Sequence, residues 1–338
     1  MNDNVLLSVK NVVKHFDITG GWLEQFRFEG GRILRRPSVV HAVNGVSFDI
    51  REGETVSVVG ESGCGKSTLA RTVVRLYPPT GGEVHYRGAR IDHLSRQELK
   101  PYRTKMQMVF QDPYASLNPR MTLRRILEEP IRFHRPAMTD GEVRDRVAEI
   151  MEQVGVDPGW RDRYPHEFSG GQRQRISIAR ALAVEPEFIV ADEPIAALDV
   201  SIQAQILNLM MDLQERRGLT YFFISHDLSV VEHISSRVAV MYLGTLCELA
   251  ETDELFENPR HPYTRALLSA IPKLGAEGFR HERLKGDVPT PIDLPAGCVF
   301  RGRCPHSDGA RCVNEIPEIR EYESGARVAC HGVEEGRI

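Results

Sequence analysis

A glycine-rich segment carries the most specific chemistry in this chain. It follows an apolar run and precedes an amphipathic stretch, the setting in which the pattern G-x-x-x-x-G-K-[ST] binds a nucleotide triphosphate. Its glycines allow successive backbone N–H groups to point at phosphate, and the helix that follows adds positive potential. Lys66 is expected to neutralise the β- and γ-phosphates, and Ser67 to ligate Mg²⁺. The predicted ATP-binding residues of this loop are Gly60, Glu61, Ser62, Gly63, Cys64, Gly65, Lys66, Ser67 and Thr68.

An acidic pair ends a second apolar run later in the chain. Residues 188–191 are continuously apolar, as expected of a parallel strand that is covered on both faces. Asp192 is predicted to hold Mg²⁺ through water, and Glu193 to polarise the attacking water as a general base. A surface acidic pair at a strand end is the alternative, but a phosphate-binding loop requires an acidic partner of this kind. The two segments together predict ATP hydrolysis.

Hydrophobic periodicity around these segments predicts an α/β fold, and the phosphate-binding motif indicates that it is of the P-loop NTPase (RecA-like) type. The predicted elements are strands at 5–9, 46–50, 56–59 and 221–224, helices at 69–76, 143–154 and 206–213, and a hairpin around Gly244. Asp140 is the expected N-cap of the second helix, and Gly218 is expected to end the third. Pro78 is expected to stop the first.

Residues 168–172, Phe-Ser-Gly-Gly-Gln, resemble the Leu-Ser-Gly-Gly-Gln signature of the ATP-binding-cassette (ABC) ATPases, with Phe168 in place of leucine. A serine and two glycines at a helix start offer N–H groups and a hydroxyl to a γ-phosphate, although a simple helix cap is the alternative. In that family the signature contacts the nucleotide held by the other subunit. The resemblance therefore implies that two ATPases complete each site. The signature residues are Ser169, Gly170, Gly171 and Gln172.

The same resemblance assigns roles to three further residues. Gln111 matches the Q-loop glutamine that senses Mg²⁺ and the attacking water, Asp199 matches the D-loop residue that bridges the subunits, and His226 matches the switch histidine that contacts the γ-phosphate. Ala196 stands where many relatives carry serine.

The adenine-stacking residue is predicted to be Phe16, because relatives place an aromatic shortly before the P-loop. Residues 17–40 resemble an insertion, expected to be a mobile basic loop, and another residue is the alternative for stacking. The insertion carries Gly20, Gly21, Gly30, Gly31, Arg32, Arg35 and Arg36.

Length predicts one large domain and one small one, since 338 residues exceed a single minimal core. We expect an ABC ATPase domain at 1–258, with a helical subdomain at about 112–182, and a small cysteine-rich C-terminal extension at 259–338.

Composition is that of an ordinary globular protein, with 41% hydrophobic and 27% charged residues and no apolar run long enough to span a membrane. The first residues show no secretion signal, which favours the cytosol. A net charge of −4 gives no global basic excess for binding nucleic acid, so no nucleic-acid partner is expected.

Four of the six cysteines cluster near the C-terminus in the spacing C-x5-C-x7-C-x17-C. Because disulfides are rare in the cytosol, the four clustered cysteines indicate a metal site. We expect a [4Fe–4S] cluster, with Zn²⁺ or plain thiols as alternatives; a zinc site of three thiolates would need His306 or His331. The predicted ligands are Cys298, Cys304, Cys312 and Cys330, whereas Cys64 and Cys247 are expected to be structural.

Several motifs of the C-terminal part are similar to the extension of the oligopeptide and dipeptide importer ATPases. They are the segments at 261–268, 297–300 and 329–331. This resemblance implies an energy-coupling subunit, peripheral on the cytoplasmic face of a bacterial inner membrane. Its implied partners are a paralogous ATPase or a second copy, two transmembrane permease subunits and an external solute-binding protein.

Two other functions compete with peptide import. One is an ABC ATPase that acts on nucleic acid or ribosomes, which is opposed by the short interval from Gln111 to Ser169 and by the presence of a single cassette. The other is a binding or regulatory module without turnover, which is opposed by Glu193 and His226.

Overall fold

The computed structural model describes residues 4–19, 26–29, 32–35, 38–271, 284, 286 and 288–338, with backbone alone at 26–29 and 32–35. The strands are β1 (Val5–Asp17), β2 (Phe26–Glu29), β3 (Arg32–Arg35), β4 (Val39–Arg51), β5 (Thr55–Val59), β6 (Gly81–Tyr86), β7 (Ala89–Arg90), β8 (Met106–Val109), β9 (Phe188–Asp192), β10 (Thr220–Ile224), β11 (Arg237–Tyr242), β12 (Thr245–Glu251), β13 (Arg320–Glu321) and β14 (Arg327–Val328). The helices are α1 (Lys66–Val73), α2 (Lys100–Lys105), α3 (Pro113–Ser116), α4 (Leu123–His134), α5 (Asp140–Gln153), α6 (Gly170–Leu182), α7 (Val200–Arg217), α8 (Leu228–Ile234), α9 (Thr252–Glu257), α10 (Pro262–Leu268), α11 (Arg311–Asn314) and α12 (His331–Glu334).

The described chain divides into two compact units. Unit 1 contains Ile50–Ser57 and His93–Ser225, and unit 2 contains Val5–Asp49, Val58–Asp92 and His226–Ile338. Within the predicted insertion, β2 and β3 pair antiparallel. Gly20, Gly21, Gly30, Gly31 and Arg36 lie outside the described residues. The predicted boundary between 258 and 259 remains a prediction.

Unit 1 contains strands in the order β10-β9-β8, and β9 pairs parallel with both of its neighbours. Phe188, at the start of β9, is level with Met106 of β8 and with Thr220 of β10. Every residue of β9 and β10 is buried, as the continuous apolar runs predicted. Their carboxyl ends therefore lie at one edge of the sheet, where acidic and polar side chains can converge.

The helices of unit 1 follow the predicted pattern with one correction. Helix α5 buries Val143, Val147 and Ile150 on one face. Its N-cap is Thr139 rather than the predicted Asp140, because Thr139 forms a reciprocal capping box with Glu142 that satisfies two backbone N–H groups. Helix α7 ends at Gly218, which adopts the left-handed conformation that was expected there.

Unit 2 contains two sets of strands, in the orders β4-β1-β6-β7 and β13-β14-β12-β11-β5. Strands β11 and β12 form the hairpin predicted around Gly244. Helix α1 ends at Val73, before the predicted stop at Pro78. Arg75 adopts a φ of 59° and the N–H of Leu76 donates to Arg71 O at 2.8 Å, so a Schellman-type turn with a non-glycine residue ends the helix.

The start of α10 is fixed by a buried carboxylate on β12. Glu248 is fully buried, and its two oxygens accept hydrogen bonds from the N–H groups of Arg260 and His261, both at 2.9 Å. Nδ1 of His261 accepts from the N–H of Tyr263 at 3.0 Å, and burial lowers the pKa of His261 to about 3, which keeps its ring neutral. The sequence thus directs Tyr263, at the second position of α10, into the core of unit 2.

We expect Glu248→Gln to lower the free energy of unfolding by about 1–3 kcal/mol, because an amide NH₂ would face one of two backbone N–H groups that need an acceptor. Glu251→Gln is the matched control, since Glu251 lies on the same strand but is exposed. Denaturant unfolding of the full chain measures both. Equal stability of the two variants would contradict the capping role of Glu248.

Candidate nucleotide-binding and hydrolysis site

The predicted phosphate-binding loop of unit 2 requires glycine at two positions of close backbone approach. Gly60 has a φ of 151°, and a Cβ there would lie 2.2 Å from Met241 O. Gly65 has a φ of 104°, and a Cβ there would lie 2.1 Å from Ala42 O. No side chain fits at either position, so the loop presents bare backbone at the N-terminus of α1. Such a cradle fits a polyphosphate.

Lys66 is held against its own loop. It is only 5% exposed, and its ammonium donates to Gly60 O at 2.7 Å and to Glu61 O at 3.1 Å. The neighbouring Cys64 is 2% exposed, and burial raises the pKa of its thiol; a structural role for Cys64 stays a prediction. The loop thus holds the Lys66 ammonium at the place where a phosphate group is expected to bind.

Two backbone segments support this loop that the motif does not reveal. In the hairpin turn, the N–H of Gly244 donates to Cys64 O at 2.8 Å. The N–H of Asn44 donates to Gly244 O at 2.8 Å, and its side chain donates to Leu243 O at 3.2 Å. The loop is therefore supported by the first half of β4 and by the β11–β12 turn, which are far from it in the sequence and close to it only in the fold.

The C-terminal extension also contacts the loop. The Tyr263 hydroxyl accepts a hydrogen bond from the N–H of Glu61 at 2.9 Å. Arg303 donates to the two carboxylate oxygens of Glu61 at 2.6 and 3.0 Å. Sequence reasoning missed both contacts; the only signal was that Tyr263 lies in one of the motifs that resembled peptide-importer ATPases.

In unit 1, two of the predicted catalytic residues, Gln111 and Glu193, meet at the carboxyl end of the sheet. Gln111 follows β8, and its side-chain amide donates to a Glu193 carboxylate oxygen at 3.0 Å. Glu193 has a φ of 47°, an uncommon conformation for a residue with a side chain, and its N–H donates to Ile224 O at 3.1 Å. Asp192, at the end of β9, is 1% exposed.

The signature segment begins α6 with a capping box. The Ser169 hydroxyl accepts from the N–H of Gln172 at 3.3 Å, and the Gln172 side chain accepts from the N–H of Ser169 at 2.9 Å. Gly171 has no room for a side chain, because a Cβ would lie 2.5 Å from a methyl carbon of Ile202. The signature is therefore packed directly on the first turn of α7.

The D-loop, residues 197–199, immediately precedes that first turn of α7. Asp199 is the N-cap of α7, and its backbone carbonyl accepts from the N–H groups of Ile202 and Gln203, both at 2.9 Å. The Gln203 side chain donates back to Ile195 O and Leu198 O, both at 3.1 Å. The D-loop is consequently fixed to the same helix that Gly171 contacts.

The residues after Gln111 are tied to the signature helix as well. The Arg173 guanidinium lies 3.5 Å from the ring centroid of Tyr114, a cation–π contact. Arg180 donates to the backbone carbonyl of Ser116. A cation–π contact and a hydrogen bond therefore connect this segment to α6.

Two predicted site residues have fewer described contacts. Phe16, in unit 2, packs edge-on against Tyr77 with ring centroids 5.5 Å apart, and the Lys14 ammonium lies 4.8 Å from its ring centroid. His226, also in unit 2, is exposed directly after β10. Adenine stacking by Phe16 and phosphate contact by His226 remain predictions.

The predicted [4Fe–4S] cluster is wrong. Among residues 288–338 and the other described ranges, no group of three or more His, Cys, Asp or Glu side chains is arranged to hold a metal ion. Burial raises the pKa of Cys298 to about 11 and also raises the pKa of Cys304 and Cys330, which favours the neutral form of these thiols. Cys298 and Cys304 pack against the hydrophobic core of unit 2, whereas Cys312 is itself buried.

Comparison with known proteins agrees with the sequence motifs. The family profile "ABC transporter" matches residues 43–196, and the profile "Oligopeptide/dipeptide transporter, C-terminal region" matches residues 247–312. The oligopeptide transport ATP-binding protein AppF of Bacillus subtilis (strain 168) is 52% identical over 334 residues, which cover 98% of each chain.

Solved structures confirm the predicted nucleotide-binding fold. A dimeric post-hydrolysis state of the ATP-binding cassette MJ0796, bound to ADP and Pi, aligns with a TM-score of 0.63 at 32% identity and covers 73% of this chain and 99% of its own. CbiO1 from Clostridium perfringens aligns with a TM-score of 0.63 at 25% identity, covering 75% and 92% of the two chains. With these matches, the chain belongs to the ABC transporter family, as an ATPase of its oligopeptide and dipeptide transporter branch.

Proposed function

We propose that this chain hydrolyses ATP to drive the uptake of dipeptides, oligopeptides or related solutes. The observation that carries the proposal is the hydrogen bond between Gln111 and Glu193 at the carboxyl end of the parallel strands of unit 1. A left-handed backbone conformation costs free energy in a residue with a side chain. Its presence at Glu193, beside Gln111, is therefore expected of a chain that hydrolyses ATP rather than of a relative that has lost this activity. The peptide class is supported by the profile that matches 247–312 and by the name of the Bacillus relative.

Each predicted residue has a defined task in this proposal. The loop 60–68 binds the phosphates through backbone N–H groups, and Lys66 exchanges its carbonyl partners for phosphate oxygens. Glu193 accepts a proton from the attacking water, which Gln111 helps to orient. Ser67, Gln111 and Asp192 are the proposed ligands of Mg²⁺, which supplies charge neutralisation when bound. His226 and Phe16 are assigned to the γ-phosphate and the adenine.

Two ATPase subunits are proposed to close on each nucleotide. Ser169 is exposed, and the first residues of α6 (Gly170, Gly171 and Gln172) are partly exposed, as a surface that receives a phosphate from a second subunit must be. Asp199 is also exposed, at the N-terminus of α7. The solved relative that binds ADP and Pi is dimeric. The second subunit is a paralogous ATPase or a second copy of this chain.

The remaining proposed partners lie in and beyond a membrane. No helix within the described ranges is long and apolar enough to cross one. From the match to peptide-transport ATPases, the proposal adds two transmembrane permease subunits and an external solute-binding protein, with this chain peripheral on the cytoplasmic face. The segment that follows Gln111 is proposed to receive the permease, and its ties to α6 through Arg173 and Arg180 would transmit closure.

Glu193→Gln should lower the rate of ATP hydrolysis at least about 100-fold, because the amide cannot accept the proton of the attacking water. ATP affinity should remain near that of the unmodified chain. Phosphate release by the assembled transporter and nucleotide affinity of the purified chain are the two measurements. Glu215→Gln on α7 is the matched control, since Glu215 is exposed and outside the proposed site. Unchanged hydrolysis by Glu193→Gln would falsify the assignment.

Ser169→Ala should abolish ATP-dependent association of two ATPase subunits while ATP binding by the single chain persists. Thr139→Ala is the control, because it removes the same kind of capping box from α5. Both variants should lose about 1 kcal/mol of stability through the lost cap. Analytical ultracentrifugation with ATP, in the Glu193→Gln background, separates the effects. If both variants associate equally well, Ser169 is only a cap.

A further inference from the structure

One peptide group of the phosphate-binding loop is held from both sides. The carbonyl of Gly60 accepts from the Lys66 ammonium at 2.7 Å, and the N–H of Glu61, which belongs to the same peptide plane, donates to the Tyr263 hydroxyl at 2.9 Å. Rotation of this plane would break both hydrogen bonds. The orientation of the loop backbone therefore depends on a residue about 200 positions away in the sequence.

The Tyr263 hydroxyl is itself fixed by packing. Tyr263, Tyr242 and Phe300 are at most 1% exposed and form mutual edge-to-face or tilted contacts, with ring centroids 4.9–5.4 Å apart. Burial raises the pKa of Tyr263, so its hydroxyl stays neutral and can accept the Glu61 N–H. The packing of the three rings therefore fixes the position of the Tyr263 hydroxyl oxygen, which accepts the hydrogen bond.

Arg303 forms an ion pair with the same loop residue, Glu61. Its guanidinium, 9% exposed in the side chain, forms a two-pronged pair with the Glu61 carboxylate and lies 5.8 Å from the Tyr242 ring centroid. The pair with Glu61 raises the pKa of Arg303. Its backbone N–H donates to Phe300 O at 3.0 Å, so the turn that carries Arg303 is anchored in the aromatic cluster.

We propose that Tyr263 and Arg303 are positioning residues for the phosphate-binding loop, through which the C-terminal extension sets the affinity of the chain for ATP. This inference rests on the proposed ATPase function. Tyr263 orients the Gly60–Glu61 peptide, and Arg303 neutralises a carboxylate on a loop that must bind a polyanion. Without Arg303, the Glu61 charge would repel the phosphates and would be free to compete for Lys66.

The first test compares Arg303→Gln with the double variant Glu61→Gln/Arg303→Gln. Arg303→Gln should weaken binding of a non-hydrolysable ATP analogue about tenfold, the loss expected of one charge-assisted hydrogen-bond pair. Removal of the unpaired carboxylate in the double variant should restore the Kd to within about threefold of the unmodified chain. Arg303→Lys, which keeps the charge but not the two-pronged geometry, should lie between.

Arg311→Gln is the control for general damage to the extension. Arg311 pairs with Glu315, Glu334 and Glu335 and so makes its ion pairs within the extension. Its replacement should lower the thermal midpoint without changing the Kd. The inference is overturned if Arg303→Gln binds the analogue normally, if the double variant shows no recovery, or if Arg311→Gln weakens binding equally.

Tyr263→Phe tests the second contact, since it removes one oxygen and leaves the aromatic cluster. We expect a Kd about fivefold higher, from the loss of one neutral hydrogen bond. Tyr221→Phe is the matched control, because the buried Tyr221 hydroxyl also bonds a backbone group, Met210 O at 3.1 Å, but in unit 1. Equal effects of the two would reject the positioning role. An unmodified chain that fails to bind the analogue would instead reject the proposed ATPase function.

Discussion

The structure depends on a loop that has no space for side chains where it approaches its neighbours. Gly60 lies against a carbonyl of β11 and Gly65 against a carbonyl of β4. The Lys66 side chain holds two of the loop carbonyls, and the rest of the loop conformation depends on neighbouring segments. The β11–β12 turn, the first half of β4 and the C-terminal extension provide that support through Gly244, Asn44 and Tyr263.

In unit 1, too, neighbouring groups hold a residue in an uncommon backbone conformation. The left-handed conformation of Glu193 persists because a backbone hydrogen bond to Ile224 and a side-chain bond from Gln111 both hold it. Gly171 allows the signature to rest on Ile202. The residues that follow Gln111, the signature helix and the D-loop are therefore mechanically joined, which suits a unit whose task is to couple hydrolysis to movement.

Most of the fold and motifs could be predicted because their signals are local. Continuous apolar runs identified β9 and β10, and glycine spacing identified the phosphate-binding loop. Errors arose where neighbouring groups competed or where the contact was distant. Thr139 replaced Asp140 as a cap because its partner Glu142 was three residues away, and Arg75 ended α1 without the glycine or proline that marks such a stop. No local pattern encodes the pairing of Arg303 with Glu61.

The cysteines show how composition can misdirect an inference about the extension. Clustered thiols suggested a metal, yet the described residues contain no group of three or more His, Cys, Asp or Glu side chains that could hold a metal ion. Burial raises the pKa of Cys298, Cys304 and Cys330, which favours the neutral thiol. A neutral thiol behaves as a small apolar group. Cys298 and Cys304 flank the turn that carries Arg303 and pack against the same core as Phe300. Their physical contribution is therefore to hold that turn in place, so that the extension acts on the nucleotide loop through a guanidinium and a phenol rather than through sulfur chemistry.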